Sequence, residues 1–192
     1  RRCVLQMWDA SCEEQVKPEG KRHDLYMATN GGKDVPCNTS INFRVVNNKL
    51  DMTINNRSND MIWGLLGANY VHMSYLLEYM AVRSGYQVGR MHVFTTNLHA
   101  YEWNWKPETY TMRGEPLQTT PHPLLYPDSD IAQFDKECEW VVDRYNDMHL
   151  LHWESPWIEN VLCPAMYCFA CYKEDRIGAA IANTGLIKDK YW

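Results

Sequence analysis

Lys33 to Asp60 reads KDVPCNTSINFRVVNNKLDMTINNRSND, and the fold turns on how this stretch is parsed. Apolar residues alternate with polar ones twice, at Ile41, Phe43 and Val45 and again at Leu50, Met52 and Ile54. A period of two is the mark of a half-buried strand. Between the runs stand Asn47 and Asn48, which tolerate the positive φ of a tight turn, so the stretch predicts a β-hairpin. A hairpin lays its two ends side by side. Cys37, next to Pro36 at the start, is therefore expected beside Arg57 at the end. A guanidinium beside a thiol favours the thiolate, the nucleophilic form, which makes Cys37 the candidate nucleophile.

The chain has 192 residues, 45% hydrophobic and 22% charged, the composition of a soluble globular protein with one sizeable core. A formal net charge of −5 argues against a general nucleic-acid binder, so an anion site must come from a local cluster of arginines. No apolar run approaches membrane-spanning length and no signal peptide is recognisable, so no membrane partner is expected. Seven cysteines, an odd number without regular spacing, point to reduced thiols in a cytoplasmic setting.

Residues 3–8 (CVLQMW) read as a short buried strand and residues 9–34 as a polar loop. After the hairpin, ANYVHMSYLLEYMAVR is apolar around much of its circumference and closes on Ser84-Gly85. It predicts a buried helix over about residues 67–83. Residues 88–94 predict a further strand, and residues 95–101 a polar turn carrying His99 and Tyr101. The proline-rich tract 106–127 predicts an extended surface loop. A helix is expected over 129–147 with Ser129 near its N-cap. Another should start at Ser155-Pro156 and run to about residue 173, with a short Ala-rich helical piece in 177–192. The whole predicts a single α+β domain over residues 1–192, a mixed β-sheet packed against helices.

Four anchors occur in order. Arg1-Arg2 is followed by Trp8; Pro36-Cys37 is followed five residues on by Asn42-Phe43; Arg57-Ser58 lies twenty residues after the cysteine; and Leu98-His99-Ala100-Tyr101 comes ten residues after Gly89. Together they resemble the thymidylate synthase superfamily, including its phage-type pyrimidine hydroxymethylases, over residues 1–101. The resemblance implies folate-dependent one-carbon transfer to carbon 5 of a deoxypyrimidine monophosphate, foremost dUMP, with 5,10-methylenetetrahydrofolate as cofactor. Cys37 would add to carbon 6 of the base. Arg57, Ser58, Arg1 and Arg2 would bind the phosphate, the paired arginines reaching across the interface of a homodimer. His99 and Tyr101 would hold the sugar 3′-hydroxyl, and Asp60 would contact the folate ring. Anchored on Trp63-Gly64, Asn69 falls at the base-reading position; an ungapped match from Gly67 puts Val71 there. Because the chain opens on a matched motif with Arg1 rather than Met, we expect it to be the C-terminal portion of a longer chain, with the family's catalytic glutamate upstream.

Three positions depart from the synthase pattern. Asn38 replaces the histidine that follows the nucleophile, Asn97 stands where an acid is common, and the C-terminal Tyr-rich signature is missing. Methyl and hydroxymethyl products both stay open, as does a dCMP hydroxymethylase. A catalytically inactive nucleotide-binding subunit of the same fold is a further alternative. Cys163, Cys168 and Cys171 lie in an apolar helix without the second ligand pair that structural zinc requires, and read as core.

Overall fold

The computed structural model describes residues 2–8, 36–103, 123–144 and 151–184. Arg1, the polar loop 9–34 and most of the proline-rich tract lie outside the described residues. The chain divides into two compact units, Arg1–Arg113 and Gly114–Trp192.

The hairpin is the heart of the first unit. Strand β2 (Asn38–Val46) turns through Asn47 and Asn48, at φ 49° and 62°, into β3 (Lys49–Asp60). Ile41 pairs with Ile54, Phe43 with Met52 and Val45 with Leu50, so the alternating apolar residues share one face. Helix α1 (Ala68–Arg83) lays Leu77 and Ala81 on that face. Ile41, Met52 and Ile54 are almost completely buried there, each contributing about 2 kcal/mol of hydrophobic stabilisation. The helix ends at Ser84, and Gly85, at φ 73°, supplies the left-handed residue that reverses the chain. Strand β4 (Gln87–His99) then runs parallel to β3, which a crossover helix permits and a tight turn does not. Strand β1 (Arg2–Gln6) pairs antiparallel with β2, giving a mixed sheet in the order β1-β2-β3-β4. The expected α+β class, a mixed sheet packed against a helix, is present.

Three expectations need correction. The first strand is exposed along its length, because it pairs on one side only, with β2. Helix α1 fully buries only Leu77 and Ala81 and leaves Tyr70 52% exposed. Residues 95–99 are not a turn: β4 continues through His99, held by parallel pairing with β3 from Asn56 to Asp60. Polar side chains hid a strand whose order comes from its neighbour's backbone.

The second unit is helical. Helix α2 (Ile131–Asp143) is capped by Asp130, whose Oδ1 accepts from Gln133 N at 3.1 Å. Ser129, the expected cap, instead accepts from Tyr126 N at 2.9 Å. The chain enters its next helix at Ser155-Pro156, as its sequence predicts, and Glu159 N donates to Ser155 O at 3.0 Å. A wide turn, Ile158–Leu162, leads into α3 (Cys163–Lys173), followed by α4 (Ile177–Thr184). Phe134, Trp153, Ile158, Val161 and Cys171 are buried, and so is the carboxylate of Glu137.

Candidate active site

The open end of the hairpin brings Cys37 and Arg57 together. Arg57 N donates to Cys37 O at 3.0 Å, which continues the strand pairing past the last hydrophobic pair. The Arg57 side chain is anchored by its Nε, which donates to Pro36 O at 3.1 Å, and its Nη2 lies 3.9 Å from Cys37 Sγ. Trp8 Nε1 donates to the same carbonyl at 3.0 Å, and the guanidinium sits 5.9 Å from the centre of the indole ring. Cys37 itself is exposed. A fixed cation thus stands beside an accessible sulfur.

Parallel pairing of β3 with β4 adds the next group. Ser58 stands opposite Asn97 and Asp60 opposite His99. Ser58 Oγ is 3.4 Å from His99 Nδ1 and accepts from Asn97 Nδ2 at 3.4 Å. His99 meets Tyr101 edge-on at 5.1 Å, and Tyr101 stacks on Trp103 at 5.9 Å. The strand ends therefore join the residues expected to bind phosphate and sugar. The carboxyl end of a parallel pair is a common place for ligand binding in sheets.

Asp60 closes β3 and starts a wide helical turn, Met61–Leu65. Its Oδ1 accepts from Ile62 N at 2.9 Å and from Trp63 N. Its Oδ2 is buried without a hydrogen-bond donor among the described residues. Asn69 sits in the first turn of α1, where its Nδ2 donates to Asn59 Oδ1 at 3.2 Å. A cavity of about 10 Å³, room for one water, is lined by Asn38, Asn56, Asn59 and Asn69 together with Ile54, Leu65, Tyr70, Met73 and Val93, but not by Val71. Asn38 follows Cys37 directly, so Asn69 shares a cavity with the nucleophile candidate's neighbour. The hydrogen bond to Asn59 and the tight approach of Gly64 escaped the sequence reading; only the turn between β3 and α1 brings them together.

Arg2 lies apart from this cluster. It pairs with Arg44, and from Cys37 to Arg44 the extended chain covers roughly 20 Å at about 3.3 Å per residue. Arg1 lies outside the described residues. In the second unit, Cys163 and Cys171 are buried. Burial, with Glu159 and Glu137 nearby, pushes the Cys163 thiol up to about 12. Burial, with Asp135 and Glu137 nearby, pushes the Cys138 thiol up to about 11. Such thiols stay protonated at neutral pH and behave as core. Among the described residues no three His, Cys, Asp or Glu side chains group as a metal site, and no helix is long and apolar enough to cross a membrane.

Comparison with known proteins addresses the same residues. The family model described as thymidylate synthase matches residues 1–154. A deoxyuridylate hydroxymethyltransferase of Pseudomonas phage M6 is 31% identical over 211 aligned residues, covering 100% of this chain and 55% of that protein. A second protein of that name, from Bacillus phage SP01, is 46% identical over 72 residues, covering 38% of this chain and 19% of the phage protein. A thymidylate synthase of Streptococcus mutans is 30% identical over 161 residues, covering 80% of this chain and 48% of the synthase. The chain spans about half the length of the M6 and Streptococcus proteins. The match includes both the hairpin that carries Cys37 and Arg57 and the strand that carries His99. On that evidence the chain belongs to the thymidylate synthase family.

Proposed function

We propose that the protein transfers a one-carbon unit to carbon 5 of dUMP, with Cys37 as covalent nucleophile and hydroxymethyl-dUMP as product. The observation that carries this reading is the Arg57 guanidinium held 3.9 Å from the exposed Cys37 sulfur. Carbon 5 of uracil is a weak nucleophile. When the thiolate bonds to carbon 6, the electron pair of the ring double bond passes to carbon 5 and the O4 enolate, and carbon 5 can then attack. As carbon 5 bonds to the transferred carbon, that carbon's bond to its donor nitrogen must break and water must supply the hydroxyl. Loss of the carbon 5 proton and departure of the thiolate then restore the double bond and free Cys37. Arg57 and Ser58 bind the phosphate, since a guanidinium fork matches phosphate oxygens. His99 and Tyr101 take the sugar hydroxyl, and Asn69 reads the base by accepting from N3–H and donating to O4.

5,10-Methylenetetrahydrofolate fits as the cofactor, because its pterin ring carries N–H donors and the buried Asp60 Oδ2 has no donor among the described residues. When bound, it supplies one carbon at the oxidation level of formaldehyde. The two phage relatives named deoxyuridylate hydroxymethyltransferase support water, rather than hydride, as the group that completes the product. The position of Arg2, far along the sheet from Cys37, supports a homodimer in which Arg1 and Arg2 serve the neighbouring chain. Free thiols at the described cysteines support a cytoplasmic location.

The test is the mass of the product formed from dUMP and methylenetetrahydrofolate. A gain of one formaldehyde unit is expected. A gain of one methylene group would make the protein a synthase, and an unchanged nucleotide would contradict transfer altogether.

A further inference from the structure

A primary amide reads uracil only if something stops it turning over. Rotation by half a turn about the last side-chain bond exchanges the carbonyl oxygen and the NH₂ of Asn69, and the turned amide suits cytosine as well as the original suits uracil. The described structure holds a group that opposes this rotation. Asn59, next to last in β3 and only 2% exposed, directs its Oδ1 at Asn69 Nδ2 across 3.2 Å. One N–H of Asn69 is committed there, while its carbonyl oxygen and the other N–H stay available for a base. Turning Asn69 over would replace an N–H···O bond by two oxygens face to face in a partly buried place, against the buried Asn59, which is costly.

Asn59 is fixed in turn by Gly64. A Cβ built on Gly64 would fall onto Asn59 Oδ1 and within 3.0 Å of Asn69 Nδ2, so the amide pair occupies the space of a missing side chain. Asn59 Oδ1 therefore faces a Cα–H, a weak donor. If Asn59 turned over, its NH₂ would meet that hydrogen with hydrogens of its own. The two amides are locked in sequence, Gly64 holding Asn59 and Asn59 holding Asn69.

We propose that Asn59 is a positioning residue for base specificity, fixing the Asn69 amide in the orientation that accepts uracil and rejects cytosine. This rests on the reading that Asn69 contacts the base. It goes further by assigning the discrimination to a residue that touches no substrate.

The experiment measures equilibrium binding of dUMP and of dCMP to the full chain and to four variants, with thermal melting as a check on folding. Asn59→Leu keeps the branched outline and removes the acceptor; it should lower the dUMP-over-dCMP ratio by roughly ten- to a hundred-fold. Gly64→Ala, which forces the amides apart, should lower the ratio in the same direction, and it decides the matter should Asn59→Leu fail to fold. Asn59→Asp retains an acceptor and should keep the preference for dUMP. Asn69→Ala separates the two claims. If it abolishes the preference while Asn59→Leu and Gly64→Ala keep it, Asn59 has no positioning role and Asn69 still reads the base. If Asn69→Ala leaves the ratio intact, the base is read elsewhere, and both claims fall.

Discussion

Arg57 does two jobs with one guanidinium. Its Nε ties it to Pro36 O and its Nη2 reaches toward Cys37, so the side chain is held in place ahead of the phosphate binding proposed for it. Arg57→Ala should therefore weaken dUMP by roughly ten- to a hundred-fold and deoxyuridine far less, as measured by equilibrium binding of both ligands. Equal loss for both would make Arg57 a structural brace for the Pro36 carbonyl. Much at this scale was legible in sequence, because alternation and an Asn-Asn turn bring Cys37, just before β2, beside Arg57 and Ser58 in β3. Asn59 was not. It reads as one more polar residue in Arg-Ser-Asn-Asp, and its partner Asn69 comes near only through the wide turn that Asp60 starts. Turns of that kind depend on hydrogen bonds that hydrophobic spacing does not record.

The hairpin shows what periodicity captures, and Glu137 shows what it omits. Among Asp135, Lys136 and Glu139, Glu137 looks like part of a solvated helix face. It is instead 1% exposed, accepting from Glu154 N at 2.7 Å, Ser155 N at 3.0 Å and Gln133 Nε2 at 3.1 Å. Burial alone would raise its pKa, but the hydrogen bonds from Ser155, Glu154 and Gln133 outweigh burial and hold it below the ordinary 4.5. A depressed carboxylate pKa gives stability that is fully present above 4.5 and lost as pH falls through the lower, folded value. Glu137→Gln should lower the stability of the helical unit by about 2 kcal/mol at neutral pH, in denaturant melts. The variant should also lose less stability than the parent on going from pH 5 toward pH 3, measured the same way. A parent and a variant with the same acid sensitivity would mean that Glu137 is not the group that titrates.

The whole chain reads unevenly. The first unit, Arg1–Arg113, carries every expected site residue, and its strand order follows from the hairpin and one crossover. The second unit's helices were legible in position, one of them from its Ser155-Pro156 start, although Asp130 rather than Ser129 caps α2, and no chemistry could be read from them. Phe134, Trp153, Ile158 and Val161 make its buried centre, and Cys163 and Cys171 lie buried in the same unit. Arg2 bears on the proposed assembly, because it pairs with Arg44, far along the sheet from Cys37. Mixing Arg2→Ala chains with Cys37→Ser chains should restore part of the activity that each lacks alone, assayed as product formed. No recovery would argue against a shared site. The central claim, that Cys37 adds to the pyrimidine ring, is tested most directly by incubating the protein with dUMP in heavy water and following the carbon 5 proton by NMR. Addition at carbon 6 makes carbon 5 exchangeable, so that signal should fade with the wild-type chain and persist with Cys37→Ser. Exchange at the same rate in Cys37→Ser, or none in a wild-type chain that binds dUMP, would contradict the account.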